Sequence, residues 1–222
     1  MWLYKIIWCL VRLPWRLLFP VRIIGKRNLP KQGGVVLVSS HRGLADPLHA
    51  GFGLSRKLHF LGKHEIFKKA GIFAGVLRYL GGIPLDRANP GISTIKTCVS
   101  VLKEGKVLLL YPEGTRNRTA DPLLPLKSGM SLFALMAKVP VVPMYQMSRA
   151  RLLRRNYLVV GSPMDFSAYY GKKPDEALLG ELDEAVRSRM LELKALIPEK
   201  FAAKERVRLE AEAAAYIKKK SA

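Results

Sequence analysis

The sequence predicts an α/β fold: a single domain with a central, largely parallel mixed sheet flanked by helices, and one further helix at its N-terminus. Two observations favour this class. Apolar runs of strand length alternate along the chain with amphipathic stretches of helix length, as they do in parallel α/β sheets. A chain of 222 residues that is 49% hydrophobic is also long and apolar enough to bury one sizeable core.

The first 32 residues are predicted to form an amphipathic segment that anchors the chain to a membrane. Three cations of "MWLYKIIWCLVRLPWRLLFP", Lys5, Arg12 and Arg16, fall within roughly 40° of one another on a helical wheel. Apolar side chains, three tryptophans among them, cover the rest of the circumference. Such a helix is expected to lie in the membrane interface with its cations at headgroup level, and Pro14 is expected to kink or restart it.

A signal peptide, a membrane span and a core helix are the alternatives for this segment. Arg12 and Arg16 interrupt the apolar run and no small-residue cleavage site follows, which disfavours a signal peptide. A span needs about 20 mostly apolar residues, whereas the longest uncharged run here is Ile6–Val11. A core helix seldom carries apolar side chains over most of its circumference.

The remaining elements are predicted from the apolar runs and the glycines and prolines that border them. A catalytic core is expected over residues 33–165 and a helical extension over 166–222. Strands are predicted at residues 35–40, 57–63, 106–111, 139–147 and 157–163. Helices are predicted at residues 47–54, 65–80, 91–104 and 128–138, and within 175–216.

The net charge of +21 is distributed unevenly along the chain. Residues 1–164 contain 26 Lys and Arg against 6 Asp and Glu, whereas residues 165–222 contain 12 against 11. An anionic partner is therefore expected for the first three quarters of the chain: nucleic acid, a lipid surface, a phosphorylated substrate or an acidic protein. Cys9 and Cys98 lack the spacing of a zinc site or a disulfide framework.

The first candidate site follows the apolar run in "VVLVSSHRGLADPLHA". His41 is expected at the carboxyl end of a strand, and Asp46, directly before Pro47, is expected at the start of a helix as its N-cap. Ligands of open α/β sheets bind at that end of the strands. The four residues between the pair can bring the carboxylate to the imidazole, although alone Asp46 is more simply a cap and His41 a loop histidine.

The second candidate site is the stretch "LLLYPEGTRNRT", in which a strand runs into Pro112. Gly114, Thr115 and Arg116 offer a backbone N–H, a hydroxyl and a guanidinium, which together suit a phosphate group. A plain polar turn is the alternative. Glu113, an acid among arginines at a buried strand end, is expected to hold a cation in place.

Two weaker stretches complete the pattern. "GGIPLDR" ends in Asp86 and Arg87, an anchor and an anion ligand beside two glycines that permit close backbone approach. "VPVVPM", residues 139–144, is an apolar strand whose two prolines favour an edge or terminal position, and it is expected to be structural.

The order of these four blocks resembles that of the glycerolipid acyltransferase family, most closely its 1-acylglycerol-3-phosphate (lysophosphatidate) acyltransferases. The similar region spans about residues 33–145, and "FLGKHEIFK" (60–68) resembles the segment between the first two blocks of the family. The chain departs from the common family pattern at Ser40 (often Asn), Gly43 (often Ser), Tyr111 (commonly Phe) and Asn117 (commonly Ser).

The resemblance implies acyl transfer from a thioester to the sn-2 hydroxyl of 1-acylglycerol 3-phosphate, giving phosphatidic acid in phospholipid biosynthesis. His41 would act as the general base and Asp46 would orient its ring. The residues implied to bind or orient around the acceptor phosphate are Arg87, Arg116, Lys63, Gly114, Thr115 and Glu113. No metal or other cofactor is implied, and the acyl donor is either acyl carrier protein or acyl-CoA.

The expected partners are a membrane lipid surface, a lysophospholipid acceptor and the acyl donor, at the cytoplasmic face of the cell membrane. One alternative is a related acyltransferase for another lysolipid or for glycerol 3-phosphate. A hydrolase is disfavoured because no GxSxG motif is present. A basic nucleic-acid-binding protein would explain the charge, but no familiar nucleic-acid module is present and the N-terminal helix would be left unexplained; a nucleic-acid partner is therefore not expected.

Overall fold

A computed structural model describes residues 2–69, 71–85, 91–127 and 129–221 of the chain. Within these residues, seven strands form one sheet in the order β1-β7-β6-β2-β5-β3-β4. Neighbouring strands are parallel except β6 and β7, which are antiparallel. The strands are β1 (Val21–Ile24), β2 (Val35–Ser39), β3 (Leu58–Lys63), β4 (Gly82–Leu85), β5 (Val107–Leu110), β6 (Val141–Gln146) and β7 (Asn156–Val160).

Helices cover both faces of this mostly parallel mixed sheet, which confirms the predicted fold class. Short 3₁₀ turns lie at residues 26–28, 167–169 and 194–196. The helices are α1 (Trp2–Leu18), α2 (Asp46–Gly53), α3 (His64–Lys69), α4 (Ile72–Tyr79), α5 (Ile92–Lys103), α6 (Met130–Ala137), α7 (Glu176–Leu193) and α8 (Glu199–Ser221).

The central strand β2 shows how the core is divided between the two faces. Val36 and Val38 belong to an apolar cluster with residues of α5, α6 and α7. Val35 and Leu37 belong to a second cluster, on the opposite face, with residues of α2. All four side chains are fully buried, and each contributes about 1.5–3 kcal/mol to folding by leaving water.

Most predicted elements are present, and the differences have local causes. The predicted helix over 65–80 is two helices, α3 and α4, because Gly71 adopts a positive φ of 49° between them. β1 and β4 were not predicted, since each is only four residues long. β1 lies inside the segment assigned to the anchor, and its pairing with β7 makes residues 21–24 part of the sheet.

β6 is an interior strand although it contains Pro143, which the sequence places at an edge or a strand terminus. Its antiparallel register with β7 ends at the Met144–Val160 pair, and Met144 is the residue directly after the proline. Pro143 therefore lies just beyond that ladder, where its missing N–H is not required. Its carbonyl oxygen still accepts a hydrogen bond from the Gly161 N–H at 2.8 Å.

The N-terminal helix α1 runs without a break through Pro14, where the sequence predicts a kink or a restart. No helix in the described part of the chain is both long enough and apolar enough to cross a membrane. Leu10, Leu13 and Leu17 are 68%, 66% and 68% exposed, so none of the residues that the structure describes covers this side of α1.

The other side of α1 packs against α2. The Arg12 Nε–H donates to the Phe52 carbonyl oxygen at 3.0 Å, and the Trp15 ring contacts the Phe52 ring. This hydrogen bond is favourable because the last carbonyls of α2 lack partners within that helix and attract a cation.

Candidate active site

Three neighbouring strands bring the candidate residues together. β6, β2 and β5 are adjacent and parallel, so their carboxyl ends meet at one edge of the sheet. His41 follows β2, Glu113 follows β5, and Gln146 is the last residue of β6. The edge predicted to hold the site therefore brings together polar residues from distant parts of the chain, and His41 and Gln146 lie more than 100 positions apart.

His41 and Asp46 are in contact, with His41 Nδ1 3.1 Å from Asp46 Oδ2. Asp46 is the first residue of α2 and not its N-cap, which is Ala45 and has no side-chain cap bond. Its carboxylate turns back to the preceding loop, where Oδ2 accepts the N–H groups of Arg42 at 2.7 Å and Gly43 at 2.6 Å. The predicted cap is therefore wrong, because the carboxylate serves the amides of the loop instead of those of the helix.

Gln146 completes the hydrogen bonds of this carboxylate, although no local feature of the sequence marks it as a site residue. Its Nε2 donates to Asp46 Oδ1 at 2.8 Å and to the Ser148 carbonyl oxygen at 2.9 Å. The backbone N–H of Gln146 donates to Ser40 Oγ at 2.8 Å, which ties β6 to β2 at the site. Both carboxylate oxygens of Asp46 are thus fixed before any substrate arrives.

Tyr111 supports the imidazole from one face. The His41 and Tyr111 rings are stacked, with centroids 4.2 Å apart and planes inclined by 25°. The buried Tyr111 hydroxyl has no hydrogen-bond partner among the described residues, and burial raises the pKa of this phenol well above its usual value. The ring therefore acts as a flat support, a role that the phenylalanine common in the family could equally fill.

Glu113 lies inside the protein and binds backbone amides. Oε1 accepts the His41 N–H at 2.7 Å, and Oε2 accepts the Leu124 N–H at 3.0 Å. Burial raises the pKa of Glu113, and these two hydrogen bonds together with the charge of Arg42 oppose that shift. The predicted contact with a cation is thus replaced by hydrogen bonds that hold the His41 backbone against the loop after β5.

Arg42 joins the same two segments, and the sequence analysis did not single it out. Its guanidinium is buried and donates to three carbonyl oxygens of the segment after β5, those of Thr119 (3.1 Å), Asp121 (2.5 Å) and Pro122 (2.9 Å). The Asn117 N–H donates to the His41 carbonyl oxygen at 2.7 Å. The loop that carries Arg116 is therefore fixed beside the loop that carries His41.

Thr115 and Arg116 are exposed and line an open cleft of about 370 Å³. Gly114, which turns the chain into this cleft, has a φ of 65° that favours glycine. Tyr216 of α8 forms the opposite wall, and the Arg118 guanidinium lies 4.8 Å from the centre of its ring. The residues lining the cleft are Thr115, Arg116, Arg118, Thr119, Leu124 and Tyr216.

Of the two other predicted phosphate ligands, the structure describes Lys63 and does not describe Arg87. Lys63 is exposed and ends β3, at the same edge of the sheet as His41. Arg87 lies outside the described residues, two positions after the end of β4. In the described ranges, no group of three His, Cys, Asp or Glu side chains is arranged to hold a metal ion.

Gly43, where the family often has serine, is explained by a close contact. A Cβ at this position would lie 2.8 Å from Arg149 Cβ and 3.0 Å from Asp46 Oδ1. Any larger residue would push the loop away from Arg149 or from the carboxylate. Glycine therefore lets the segment after β6 approach the loop that carries His41.

His49, on the next turn of α2 after Asp46, is a buried histidine that the sequence analysis did not discuss. Its Nδ1 accepts a hydrogen bond from the Trp15 Nε1–H at 3.4 Å, while its Nε2 has no partner among the described residues. Burial lowers the pKa of His49 from 6.5 to about 4, although the charge of Asp46 opposes the shift. His49 is therefore neutral in the folded protein at neutral pH.

Replacing His49 by glutamine is expected to change how stability depends on pH. The unfolded chain binds a proton at this residue near pH 6.5 and the folded chain only near pH 4, so acidification through this window favours unfolding of the wild type. When the pH falls from 7 to 4, the free energy of unfolding of the wild type should decrease by about 3 kcal/mol more than that of His49→Gln. Urea titrations of both proteins in one detergent measure this difference, and parallel pH profiles would contradict it.

Known proteins are similar to this chain in sequence and in architecture. Residues 20–147 match the family model described as Acyltransferase. The 1-acyl-sn-glycerol-3-phosphate acyltransferase of Bacillus subtilis strain 168 is 35% identical over 78% of the chain and 88% of its own length. That of Streptococcus pneumoniae R6 is 33% identical over 63% and 54%. The crystal structure of the 1-acyl-sn-glycerophosphate (LPA) acyltransferase from Thermotoga maritima matches with a TM-score of 0.59 and 25% identity, over 79% of this chain and 72% of that one.

Proposed function

Because the chain belongs to the Acyltransferase family, we propose that it transfers a fatty acyl group from a thioester donor to the sn-2 hydroxyl of 1-acylglycerol 3-phosphate, giving phosphatidic acid. The observation that carries this proposal is the His41–Asp46 contact beside a cleft lined by Arg116 and Thr115. A general base and an anion site at one edge of the sheet are what a phosphorylated alcohol acceptor requires.

His41 is the general base of the proposed reaction. With its Nδ1–H donating to Asp46 Oδ2, the lone pair that can accept a proton is on Nε2. Asp46 is the positioning residue: it fixes the ring orientation and favours the imidazolium that forms. Tyr111 restrains the ring from one face, so that the ring does not have to be ordered during the reaction.

The bonds of the reaction balance without any further reactant. The acceptor hydroxyl oxygen attacks the thioester carbonyl carbon while its proton passes to His41 Nε2. The tetrahedral intermediate then collapses, the carbon–sulfur bond breaks, and the thiolate takes the proton from the imidazolium. An ester and a free thiol leave, and His41 is neutral again.

The acceptor phosphate is assigned to the cleft after β5. Arg116 offers a guanidinium fork, Thr115 a hydroxyl and the loop its backbone N–H groups, a set that suits phosphate oxygens. Lys63 at the same edge, and Arg87 beyond β4, would add positive charge to this binding site. The Glu113 and Arg42 hydrogen bonds support the assignment because they hold the cleft at a constant distance from His41.

We further propose that the protein works at the cytoplasmic face of the cell membrane, with acyl carrier protein or acyl-CoA as donor. The exposed leucines of α1 support an interfacial position, since no residue in the described part of the chain covers their side chains. The charge of residues 1–164 suits both anionic lipid and an anionic donor. Acyl-transfer assays with both donors and a panel of lyso-acceptors and glycerol 3-phosphate test the assigned reaction directly.

Replacing Arg116 by alanine is expected to raise the KM for 1-acylglycerol 3-phosphate by about 10- to 100-fold, since a hydrogen bond to a charged group contributes about 1.5–3 kcal/mol. The dephosphorylated acceptor, a monoacylglycerol, should be used equally poorly by the wild type and the variant, because neither can then use the phosphate contact. Steady-state kinetics with both acceptors measure the difference.

The matched control is Arg189→Ala, which removes an exposed arginine from the outer face of α7 and leaves the cleft untouched. The phosphate assignment fails if Arg116→Ala and Arg189→Ala have the same KM for the phosphorylated acceptor. It also fails if Arg116→Ala loses activity on both acceptors in equal proportion, since the contribution of Arg116 then does not depend on the phosphate.

A further inference from the structure

The connection between β6 and β7 presents two leucines to solvent at its tip. Leu152 and Leu153 are 57% and 71% exposed. Leu153 also has a φ of 53°, a left-handed conformation in which asparagine or glycine would be less strained. Neither burial nor backbone preference within the folded chain accounts for a leucine at this position.

The tip is held by a rigid base. The Asn156 side chain accepts the Arg151 N–H at 3.0 Å and donates to the Arg151 and Arg154 carbonyl oxygens at 3.3 and 2.8 Å. Below it, the buried Arg151 guanidinium lies 2.9 Å from Glu205 of α8. The backbone that carries the two leucines is therefore held in place, which lowers the ordering cost when they contact a partner.

The tip adjoins the end of α1. The Leu153 N–H donates to the Leu18 carbonyl oxygen at 2.5 Å, and the Asn156 N–H donates to the Pro20 carbonyl oxygen at 2.8 Å. Leu17 and Leu18 of α1 are themselves exposed, so apolar side chains from two separate elements meet on one surface. Exposed apolar residues gathered in this way mark an interaction surface.

The charges around the tip identify the partner. The exposed residues Arg154 and Arg155 directly follow the two leucines, and Arg149, three residues before Leu152, is exposed but forms an ion pair with Glu212 of α8 at 3.2 Å. Leucines at a tip with arginines beside them match a bilayer interface, where acyl chains take the apolar side chains and anionic headgroups take the guanidinium groups. We propose that Leu152 and Leu153 insert into an anionic membrane surface as a second contact, in addition to the apolar face of α1.

The proposal is tested with the full-length double variant Leu152→Ser/Leu153→Ser and vesicles of phosphatidylcholine with or without phosphatidylglycerol. Its partition coefficient is expected to be roughly 10- to 100-fold lower than that of the wild type, about tenfold for each leucine withdrawn from the interface. The matched control is Leu196→Ser/Val207→Ser, which removes two residues of similar exposure, 55% and 68%, outside the tip. The proposal is overturned if the two double variants partition equally.

A second variant separates charge from apolar insertion. Arg154→Ser/Arg155→Ser is expected to weaken binding to phosphatidylglycerol vesicles and to leave binding to pure phosphatidylcholine unchanged. Activity towards a short-chain, water-soluble lyso-acceptor without vesicles should be the same in all these proteins. If the assigned reaction is wrong, the wild type itself will be inactive in this assay, whatever the result of the vesicle experiment. Sedimentation tests whether a second copy of the chain covers the tip instead of a membrane. A wild-type dimer that the leucine substitutions dissociate, while vesicle binding stays intact, would assign the tip to that second copy and overturn the proposal.

Discussion

Replacing His41 by alanine is expected to lower kcat by about 10³-fold while the protein stays folded, because the substitution removes the proposed general base and keeps the loop that carries it. The hydrogen bonds that hold this loop use the backbone of His41: its N–H donates to Glu113 and its carbonyl oxygen accepts from Asn117. Alanine keeps both. Steady-state acyl transfer and thermal unfolding, measured on the same preparation, test both halves of this expectation.

Two further variants separate a catalytic role from a structural one. His41→Gln keeps a polar side chain beside Asp46 but cannot act as a base, and it should be as inactive as alanine. His59→Asn changes a half-buried histidine in the first half of β3, away from the carboxyl edge, and should retain activity. A His41→Ala protein with a kcat within tenfold of the wild type would rule out the assignment of His41 as the base.

Replacing Asp46 by asparagine is expected to cost both activity and stability. The carboxylate faces only donors: the N–H groups of Arg42 and Gly43, the His41 ring and the Gln146 amide. An asparagine must turn its own NH₂ group towards some of them, which leaves at least one buried group unsatisfied, at about 1–3 kcal/mol. The loss of negative charge beside the imidazolium should lower kcat by about 10³-fold as well.

The two substitutions therefore differ in one measurable respect. Urea unfolding should give Asp46→Asn a clearly lower stability than His41→Ala, although both lose activity. Glu104→Gln, which neutralises an exposed acid at the end of α5, controls for the loss of a negative charge. Unchanged stability in Asp46→Asn would show that the carboxylate is not needed to hold the loop.

The sequence predicted the parts of this site that depend on local order. A strand followed by His41, and a proline after Asp46, were enough to bring the pair to one edge of a parallel sheet. The apolar run before Pro112 likewise predicts that Arg116 follows a buried strand. Such signals are available because strand ends and helix starts are marked within a few residues.

The remaining parts depend on contacts between segments far apart in the chain. Gln146 and Asp46 are separated by 100 positions, and nothing near Gln146 indicates that its amide faces a carboxylate. In the sequence Arg42 is one basic residue among many, and only the folded structure shows its three carbonyl acceptors. The role of Asp46 as a cap was inferred wrongly for the same reason: a local rule could not anticipate the amides of Arg42 and Gly43.

The short join between α1 and β1 has a consequence for how the enzyme meets its substrates. Only Phe19 and Pro20 separate the helix from the first strand, and Pro20 is bonded to Asn156. As the proposed membrane anchor, α1 would hold the domain rigidly, so the height and tilt of the proposed catalytic edge above the lipid would stay constant. Acceptors would then be met by lateral diffusion, and the rate would follow their mole fraction in the bilayer instead of their bulk concentration.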